Sequence, residues 1–323
     1  MQVDGSRILV TGGAGFIGSH LVGALLHRGA TEVLVIDDLS TGLLENLTPL
    51  PEERVSVYSM DIRDVTSREL RNVDGVVHLA ADVSVGASMK DPWATFDANV
   101  RGTLAVLETA ADAGVGSLAF ASSAAVYGDT PPPLSEDSPL RPLSPYGASK
   151  LAAESLVRMF ANERGLMGIS LRLFNVYGPR QRADSEYAAV VPAFVSAGLA
   201  GEPMKVHGDG TQTRELVYVG DVCDAFVTAL ERAGHYPGRA FNIAPGAPVT
   251  VNDLAEAVNN ALDAPVGVEH DPPRPGDIHE SSADVRAARE ALGFVPRTTL
   301  EGGLRATIEA EKEKVYIAGT TIE

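Results

Sequence analysis

A glycine-rich turn close to the start of the chain limits the possible folds more than any other feature of the sequence. It follows Arg7-Ile8-Leu9-Val10, an apolar run typical of a short buried strand. It precedes residues 16–28, where apolar side chains recur at helical spacing. Strand, glycine turn and helix in this order are typical of dinucleotide-binding units, because glycines let the backbone approach a pyrophosphate and the helix start offers free N–H groups. The residues predicted to hold such a cofactor are Gly12, Gly15, Phe16, Ile17 and Gly18.

Carboxylates follow the next two predicted strands. Asp37 and Asp38 end the run Glu32-Val33-Leu34-Val35-Ile36, where a carboxylate can accept hydrogen bonds from the adenine ribose hydroxyls. The same charge repels a 2′-phosphate, so the sequence predicts NAD rather than NADP. Asp61 and Ile62 follow the third strand and could meet the adenine, although Asp61 could equally cap a helix.

Strand and helix patterns alternate through about residue 174. This alternation predicts a parallel sheet covered on both faces, with ligands beyond the carboxyl ends of the strands. The predicted strands are 7–11, 32–37, 54–58, 75–80, 117–122 and 169–174, and the predicted helices are 16–28, 92–113 and 146–164.

The pattern changes after residue 174. Residues 215–245 are predicted to return to the sheet, with a strand at 216–219, a helix at 221–233 and a strand at 240–243. The predicted fold class is therefore α/β, a Rossmann-type doubly wound parallel sheet with a smaller, discontinuous α/β substrate domain. The expected boundaries are 1–174 and 215–245 for the dinucleotide domain, 175–214 and 246–312 for the substrate domain, and 313–323 for a frayed C-terminal tail.

Composition narrows the possible partners and location. The net charge of −17 argues against non-specific binding of nucleic acid, although a few arginines can still form a local anion pocket. The sequence has no run of eighteen apolar residues, and its first strand starts too early for a signal peptide, so neither a membrane span nor secretion is expected. Cys223 is the only cysteine, which fits a buried thiol in a reducing cytoplasm. No metal site is predicted.

Tyr146 and Lys150 are the strongest catalytic candidates. Residues four apart share one face of a helix, which sets an ammonium beside a phenol. A nearby cation favours the phenolate, and lowering a tyrosine pKa from ~10 to about 7 takes about 4 kcal/mol. Ser123 lies upstream, at the end of a predicted strand. Each residue alone has an ordinary structural explanation, but the three together point to a proton-transfer site.

These motifs resemble the extended short-chain dehydrogenase/reductase family, and within it the UDP-hexose 4-epimerases. The glycine spacing is the family's form, and the resemblance covers about residues 6–310. Further matching stretches are Val77-His78-Leu79-Ala80-Ala81, Asn99-Val100-Arg101-Gly102-Thr103, Leu173-Phe174-Asn175-Val176-Tyr177-Gly178-Pro179-Arg180, Gly208-Asp209-Gly210-Thr211-Gln212-Thr213-Arg214 and Arg274-Pro275-Gly276-Asp277.

The resemblance implies a reaction in which NAD stays bound and a 4-keto sugar forms and turns over. Tyr146 would take the proton from the sugar 4-hydroxyl and return it. Lys150 would lower the Tyr146 pKa and bond the nicotinamide ribose, and Ser123 would hydrogen-bond the 4-oxygen. Four further residues are implied to contact the cofactor: Leu79, Ala80, Ala81 and Asn99.

The resemblance also implies a nucleotide-sugar site. Asn175, Arg214 and Arg274 match positions that hold the diphosphate, which suits the planar fork of arginine. His207 falls where the family usually stacks an aromatic on uracil, and Val190 lies where backbone groups reach the base. One further position, Ser281, matches a residue that limits room at C2 of the sugar. Because serine is small, both plain and N-acetylated UDP-hexoses are expected to fit.

The sequence departs from the family at three positions, where the usual Asp, Phe and Asp are replaced by Glu215, Leu216 and Gly220.

Related enzymes of other specificity are the alternatives, namely UDP-glucuronate or UDP-pentose epimerases. A dehydratase or decarboxylase is disfavoured because Ala124, Ala125 and Val126 follow Ser123, where those lyases carry an acid. A non-catalytic NAD-binding scaffold would have no need of the Tyr/Lys pair. By resemblance, a homodimer through helices 92–113 and 146–164 is expected.

Overall fold

Seven parallel strands form the central sheet of this computed structural model, which describes residues 1–183, 189–273 and 279–320. The strands are β1 (Arg7–Thr11), β2 (Glu32–Asp37), β3 (Val55–Ser59), β4 (Gly75–His78), β5 (Ser117–Ser123), β6 (Met167–Leu173), β7 (Asn175–Tyr177), β8 (Met204–His207), β9 (Thr213–Arg214), β10 (Leu216–Tyr218), β11 (Ala240–Ile243), β12 (Val249–Thr250) and β13 (Val268–Asp271). The helices are α1 (Phe16–His27), α2 (Val85–Lys90), α3 (Pro92–Phe96), α4 (Gly102–Asp112), α5 (Pro145–Glu163), α6 (Val190–Ala200), α7 (Val219–Arg232), α8 (Val251–Ala261), α9 (Arg286–Leu292) and α10 (Leu300–Thr320).

The strand order is β11-β6-β5-β4-β1-β2-β3, and every pairing within the sheet is parallel. The order reverses between β1 and β4, and such a switch point opens a crevice beyond the carboxyl ends of the two strands. The predicted α/β, doubly wound fold is therefore confirmed, and the crevice lies directly beside the glycine turn.

Alternating side chains of the strands build a core on each face of the sheet. Ile8 and Val10 of β1 point into a cluster shared with α1 and α7, whereas Leu9 points into a cluster shared with α4 and α5. Both faces are covered by helices, which explains why the inner strands are nearly continuous apolar runs.

The helix predicted over 92–113 is divided in the structure. It starts as α3 with Pro92 in its first turn, passes through a π-helical turn at Asp97–Arg101, and continues as α4. The side chain of Asp91 caps α3 by accepting a hydrogen bond from Ala94 N at 3.0 Å. The helix predicted over 146–164 appears as α5 with almost the same bounds.

One part of the prediction for residues 215–245 is wrong. Strand β11 joins the central sheet beside β6, but β10 does not, and pairs instead with β7 in a separate two-stranded sheet. The preceding residue explains the difference, because the buried carboxylate of Glu215 accepts hydrogen bonds from Gly246 N and Ala283 N, which fixes this part of the chain outside the sheet.

Segments before and after the return to the sheet share a smaller core of their own. It contains Phe194 of α6, Leu254 of α8 and Leu304 of α10, as the predicted discontinuous domain requires. The domain boundaries themselves stay a prediction. A frayed tail was expected over 313–323; α10 continues to Thr320, and residues 321–323 lie outside the described residues. Within the described residues, no helix combines the length and the apolar character that crossing a membrane would need.

Candidate functional site

The glycine turn closes tightly against the end of β4. Gly12 has a φ of +70°, which side chains rarely adopt, and a Cβ there would lie 2.8 Å from Ala80 N. A Cβ on Gly18 would overlap the carbonyl oxygen of Gly12, so only glycine lets α1 start so close to β1. These two positions leave the backbone bare at the point where a pyrophosphate would approach.

The start of α1 offers unpaired backbone donors. No side chain among the described residues caps this helix, and no acidic residue lies in its first turn. The first helical hydrogen bond runs from Ser19 N to Gly15 O at 3.0 Å, which leaves the N–H groups of Phe16 and Ile17 without helical partners. With the helix dipole, these groups suit an anion such as a diphosphate.

Residues after β4 form the opposite wall of the crevice. Thr11 Oγ1 accepts hydrogen bonds from Leu79 N and Ala80 N, both at 3.2 Å, and contacts His78 Nδ1 at 2.7 Å. Burial lowers the pKa of His78 to about 3, so its ring is neutral at pH 7. The stretch 79–81, which is predicted to contact the cofactor, is therefore fixed beside the glycine turn by its hydrogen bonds to Thr11.

The two carboxylates after β2 occupy different environments. Asp37 is buried and accepts hydrogen bonds from Ala14 N and Leu39 N, both at 2.9 Å, so it braces the glycine turn. Burial raises its pKa. Each of its oxygens keeps a lone pair for a ribose hydroxyl. Asp38 is more exposed and binds Ser40 N at 2.9 Å.

Asp61 acts as the cap that the sequence left open as an alternative. Its carboxylate accepts a hydrogen bond from Arg63 N at 2.8 Å at the start of a 3₁₀ turn, and it also pairs with the Arg63 guanidinium. The hydrogen bonds from Arg63 hold the pKa of Asp61 below its usual range. Ile62 is buried beside it. Contact of either residue with an adenine stays a prediction.

The three predicted catalytic residues meet at the ends of β5 and α5. Ser123 ends β5, and its Oγ accepts a hydrogen bond from Ala125 N at 3.2 Å. Tyr146 lies in the first turn of α5, close enough to Ser123 for the serine hydroxyl to lower the pKa of the phenol. Lys150 Nζ lies one turn further on, 5.9 Å from the centre of the Tyr146 ring, and donates to Ala121 O at 2.9 Å.

Burial dominates the electrostatics of this trio. Tyr146 is 9% exposed, and burial raises its pKa; the Ser123 hydrogen bond lowers it and the charge of Asp82 raises it further. Lys150 is 3% exposed, and burial lowers its pKa to about 8, against the effects of Asp82 and Glu154. The lowered Tyr146 pKa expected from Lys150 is therefore not a property of the protein alone.

Asp82 was missed by the sequence reasoning. Its carboxylate accepts a hydrogen bond from Thr95 Oγ1 at 2.9 Å, and its charge acts on both Tyr146 and Lys150. Asn99 fixes its backbone, donating to Asp82 O at 2.9 Å and accepting from Asp82 N at 2.7 Å. The only sequence signal was its position directly after the matching stretch that ends in Ala81.

Asn99 is mainly a structural residue here. Its amide donates to Ser149 Oγ at 3.0 Å as well as to Asp82 O, so both amide hydrogens are used within the protein. Any contact with a cofactor would use the remaining lone pair of Oδ1. Asn99 lies in the π-helical turn before α4, and such turns are frequent at functional sites.

The predicted substrate residues lie around residues 207–215. Thr213 connects Arg214 with Ser281. It directly precedes Arg214 in the chain, and its Oγ1 accepts a hydrogen bond from Ser281 N at 3.2 Å. His207 O accepts from Gln212 Nε2 at 2.7 Å. Arg274 lies outside the described residues.

Two further predicted residues lie on neighbouring elements. Asn175 starts β7 and is exposed, and its N–H donates to Glu215 O at 3.1 Å, beside Arg214. Val190 is the first residue of α6, which packs against β8. The structure thus brings Asn175, His207, Arg214 and Ser281 onto segments joined by hydrogen bonds.

Two departures from the family pattern have visible consequences. Glu215 is fully buried and accepts hydrogen bonds from Gly246 N, Ala247 N and Ala283 N at 2.9–3.1 Å. It therefore ties three segments of the substrate half together. Gly220 instead lines a cavity of about 300 Å³ together with Arg180 and residues of α1.

Comparison with known proteins gives a consistent result along the chain. Residues 8–244 match the model of the NAD dependent epimerase/dehydratase family. A UDP-glucose 4-epimerase from Mycolicibacterium smegmatis is 41% identical over 95% of this chain and 99% of its own. A UDP-glucuronate 4-epimerase from Thermodesulfobacterium geofontis is 33% identical, covering 96% and 97%. The solved UDP-N-acetylglucosamine 4-epimerase from Methanobrevibacter ruminantium, in complex with UDP-N-acetylmuramic acid, superposes with a TM-score of 0.92 at 36% identity, covering 96% and 99%.

Proposed function

The chain belongs to the NAD dependent epimerase/dehydratase family, and we propose that within this family it is a UDP-hexose 4-epimerase that interconverts UDP-glucose and UDP-galactose. The predicted family and cofactor are confirmed: the chain is an extended short-chain dehydrogenase/reductase, and its cofactor is NAD. The observation that carries the proposal is the grouping of Ser123, Tyr146 and Lys150 beside the crevice between β1 and β4.

The residues around the glycine turn fit NAD. Gly12 and Gly18 leave no room for side chains where the backbone must approach a diphosphate, and the start of α1 supplies free N–H groups. Asp37 keeps lone pairs for ribose hydroxyls at the end of β2. When bound, NAD supplies reversible oxidation of the sugar at C4 and a positive charge that favours the Tyr146 phenolate.

Proton transfer is assigned to Tyr146. Burial raises its pKa in the protein alone, so the phenolate depends on the positive charge supplied when the site is filled. The Ser123 hydroxyl favours the charged form of Tyr146, and once Tyr146 has taken the proton of the sugar, the single hydrogen of Ser123 would be free to turn to the 4-oxygen as it becomes a keto group. Lys150, anchored on Ala121 O, would keep its remaining donors for the nicotinamide ribose.

The nucleotide would lie along residues 207–215 and the segment that follows residue 279. Arg214 and Arg274 are the proposed diphosphate ligands. Asn175 starts β7, which pairs with β10, the strand that begins two residues after Arg214. His207 is the proposed partner of the uracil ring. Ser281 is held against Thr213, and its small side chain would leave room for an N-acetyl group at C2.

A UDP-glucuronate 4-epimerase is the second candidate, since a relative of that name is 33% identical over 96% of the chain. It would share the cofactor site and the catalytic trio. A lyase is less well supported, because Ala124 and Ala125, not an acid, follow Ser123.

We also propose that the protein is a homodimer. Four large apolar side chains are exposed on adjoining helices: Met89, Trp93, Phe96 and Met159. Trp93 is 85% exposed, and α2 and α3 both pack against α5, so these residues lie on neighbouring helices. Trp93, Phe96 and Met159 belong to the two helices predicted for the dimer, 92–113 and 146–164, whereas Met89 lies outside them on α2. A second copy would cover an apolar surface that monomers rarely leave open.

The substrate is tested by giving the purified protein UDP-galactose, UDP-N-acetylgalactosamine and UDP-galacturonate separately, with no added NAD, and resolving the C4 epimers by chromatography. Conversion of UDP-galactose is expected, and conversion of the N-acetyl sugar would support the open pocket at Ser281. The variant Ser281→Tyr should lose the N-acetyl sugar first while retaining UDP-galactose. Conversion of UDP-galacturonate alone would replace the hexose assignment with the second candidate.

A further inference from the structure

A buried ion pair lies directly behind the catalytic trio. Arg172 on β6 and Glu154 on α5 are only 5% and 8% exposed. Their contact is bidentate, with Arg172 Nε on Glu154 Oε1 at 3.0 Å and an Arg172 terminal nitrogen on Oε2 at 2.9 Å. Replacing such a pair by well-packed apolar residues is often neutral or stabilising, so stability alone does not explain why it is there.

The position of Glu154 suggests what the pair does. Glu154 lies one helical turn after Lys150, on the same face of α5. Lys150 binds the carbonyl oxygen of Ala121, and Glu154 accepts a hydrogen bond from the hydroxyl of the next residue, Ser122. Thus two charged side chains of α5 hold two consecutive residues of β5, and the residue after them is Ser123.

Arg172 fixes the orientation of the Glu154 carboxylate from the other side. A second terminal nitrogen of Arg172 donates to Tyr127 Oη at 2.9 Å, and its guanidinium lies 5.0 Å from the centre of that ring. Tyr127 Oη in turn donates to Asn242 Oδ1 at 2.6 Å. The same terminal nitrogen of Arg172 also donates to Glu136 O at 3.2 Å, so four of the five N–H donors of Arg172 are used, and these contacts orient the guanidinium that holds the carboxylate.

We propose that the Glu154–Arg172 pair is a positioning element that sets the register of α5 against β5, and so places Ser123 and Lys150 correctly around Tyr146. The proposal rests on the catalytic roles given to these three residues above. Glu154 and Arg172 act through Ser122 and the backbone of β5, not by touching substrate or cofactor.

The test replaces both charges together, as Glu154→Leu/Arg172→Met, which leaves the net charge of the site unchanged. The titratable groups facing Lys150 and Tyr146 are His78 on β4, Asp82 after β4 and Glu154 itself. Because the charge of Glu154 also raises the pKa of Lys150, a change in the Tyr146 pKa is assigned to altered geometry only if Ser122→Ala, which keeps both charges, shifts it in the same direction.

Two measurements decide the proposal in the NAD-bound protein. We expect kcat to fall roughly tenfold or more, since small misplacements of reacting groups are costly, while KM changes little. We also expect the Tyr146 pKa to rise by about one unit, because Lys150 is no longer held beside the ring. That pKa is read from tyrosinate absorbance as the difference between each protein and the same protein carrying Tyr146→Phe.

The control is the pair Arg7–Glu32, which joins the amino-terminal ends of β1 and β2 with a 2.8 Å contact, at the edge of the sheet away from the site. The variant Arg7→Met/Glu32→Leu should keep kcat and the Tyr146 pKa near the wild-type values. If the buried double variant also keeps both, the proposal is overturned. If it does not fold, Ser122→Ala decides, because it removes only the hydroxyl held by Glu154; kcat should fall about threefold or more, and an unchanged kcat would overturn the proposal.

The tyrosine titration also separates this proposal from the proposed function. A wild-type protein that turns over no UDP-sugar would refute the assigned reaction. The Tyr146 pKa would still show whether the buried pair places Lys150 beside it.

Discussion

The strongest electrostatic prediction concerns Lys150 in the protein freed of NAD. Its pKa is lowered from 10.5 to about 8 because its ammonium is buried. The folded protein therefore binds the Lys150 proton more weakly than the unfolded chain does. At about 1.36 kcal/mol per pKa unit, this costs the folded state roughly 3 kcal/mol near neutral pH. Since the unfolded state binds more protons between these two pKa values, stability should rise with pH across that interval.

The variant Lys150→Met removes this titration. The unfolding free energies of both proteins are measured by urea denaturation at about pH 7 and about pH 9.5. The difference between wild type and variant should move by about 2 kcal/mol in favour of the wild type over this range. Effects that do not depend on pH, such as the lost hydrogen bond to Ala121 O, cancel in that change.

Lys205 provides the control, because it is exposed on β8. The variant Lys205→Met should show a difference from the wild type that is nearly constant with pH. If the Lys150→Met difference is equally constant, Lys150 is not destabilised by burial, and the electrostatic account of the site is wrong.

Three further outcomes follow from the structure. Tyr146→Phe should lower kcat by about 10²–10⁴-fold with NAD still bound, since it removes the proton-transfer group; a kcat within tenfold of wild type would exclude that role. Gly12→Ala should lose both bound NAD and stability, because its Cβ would lie 2.8 Å from Ala80 N at a φ of +70°. Gly234→Ala, where a Cβ has open space, should retain both; bound NAD is measured by absorbance and stability by thermal melting. Trp93→Glu should convert a dimer to a monomer in analytical ultracentrifugation, because it places a charge on the exposed apolar face; a wild-type monomer would refute the dimer.

Local patterns were sufficient to predict the main sheet and its cofactor turn. Apolar runs such as 7–11 and the helical spacing over 16–28 are short-range signals, and the structure has β1 and α1 at almost those bounds. The pairing of β10 with β7 was missed because it depends on Glu215, whose partners Gly246 and Ala283 are distant in the sequence.

The relative placement of Tyr146 and Lys150 was predictable from the sequence, but their electrostatics were not. Spacing placed Lys150 one helical turn from Tyr146, and the structure agrees. Burial, which raises the pKa of Tyr146 and lowers that of Lys150, cannot be read from spacing. Asp82 and Arg172 were missed for a related reason, since each acts on residues that are distant along the chain.

The central claim is that oxidation and reduction occur at C4 of the sugar within one closed site. It is tested most directly with UDP-galactose deuterated at C4, incubated with the purified protein in ordinary water without added NAD. The account predicts UDP-glucose that keeps deuterium at C4, because hydrogen leaves that carbon and returns to it without exchanging with solvent. Loss of the label to water during turnover would contradict this mechanism, and recovery of unconverted UDP-galactose from NAD-loaded protein would contradict the proposed substrate.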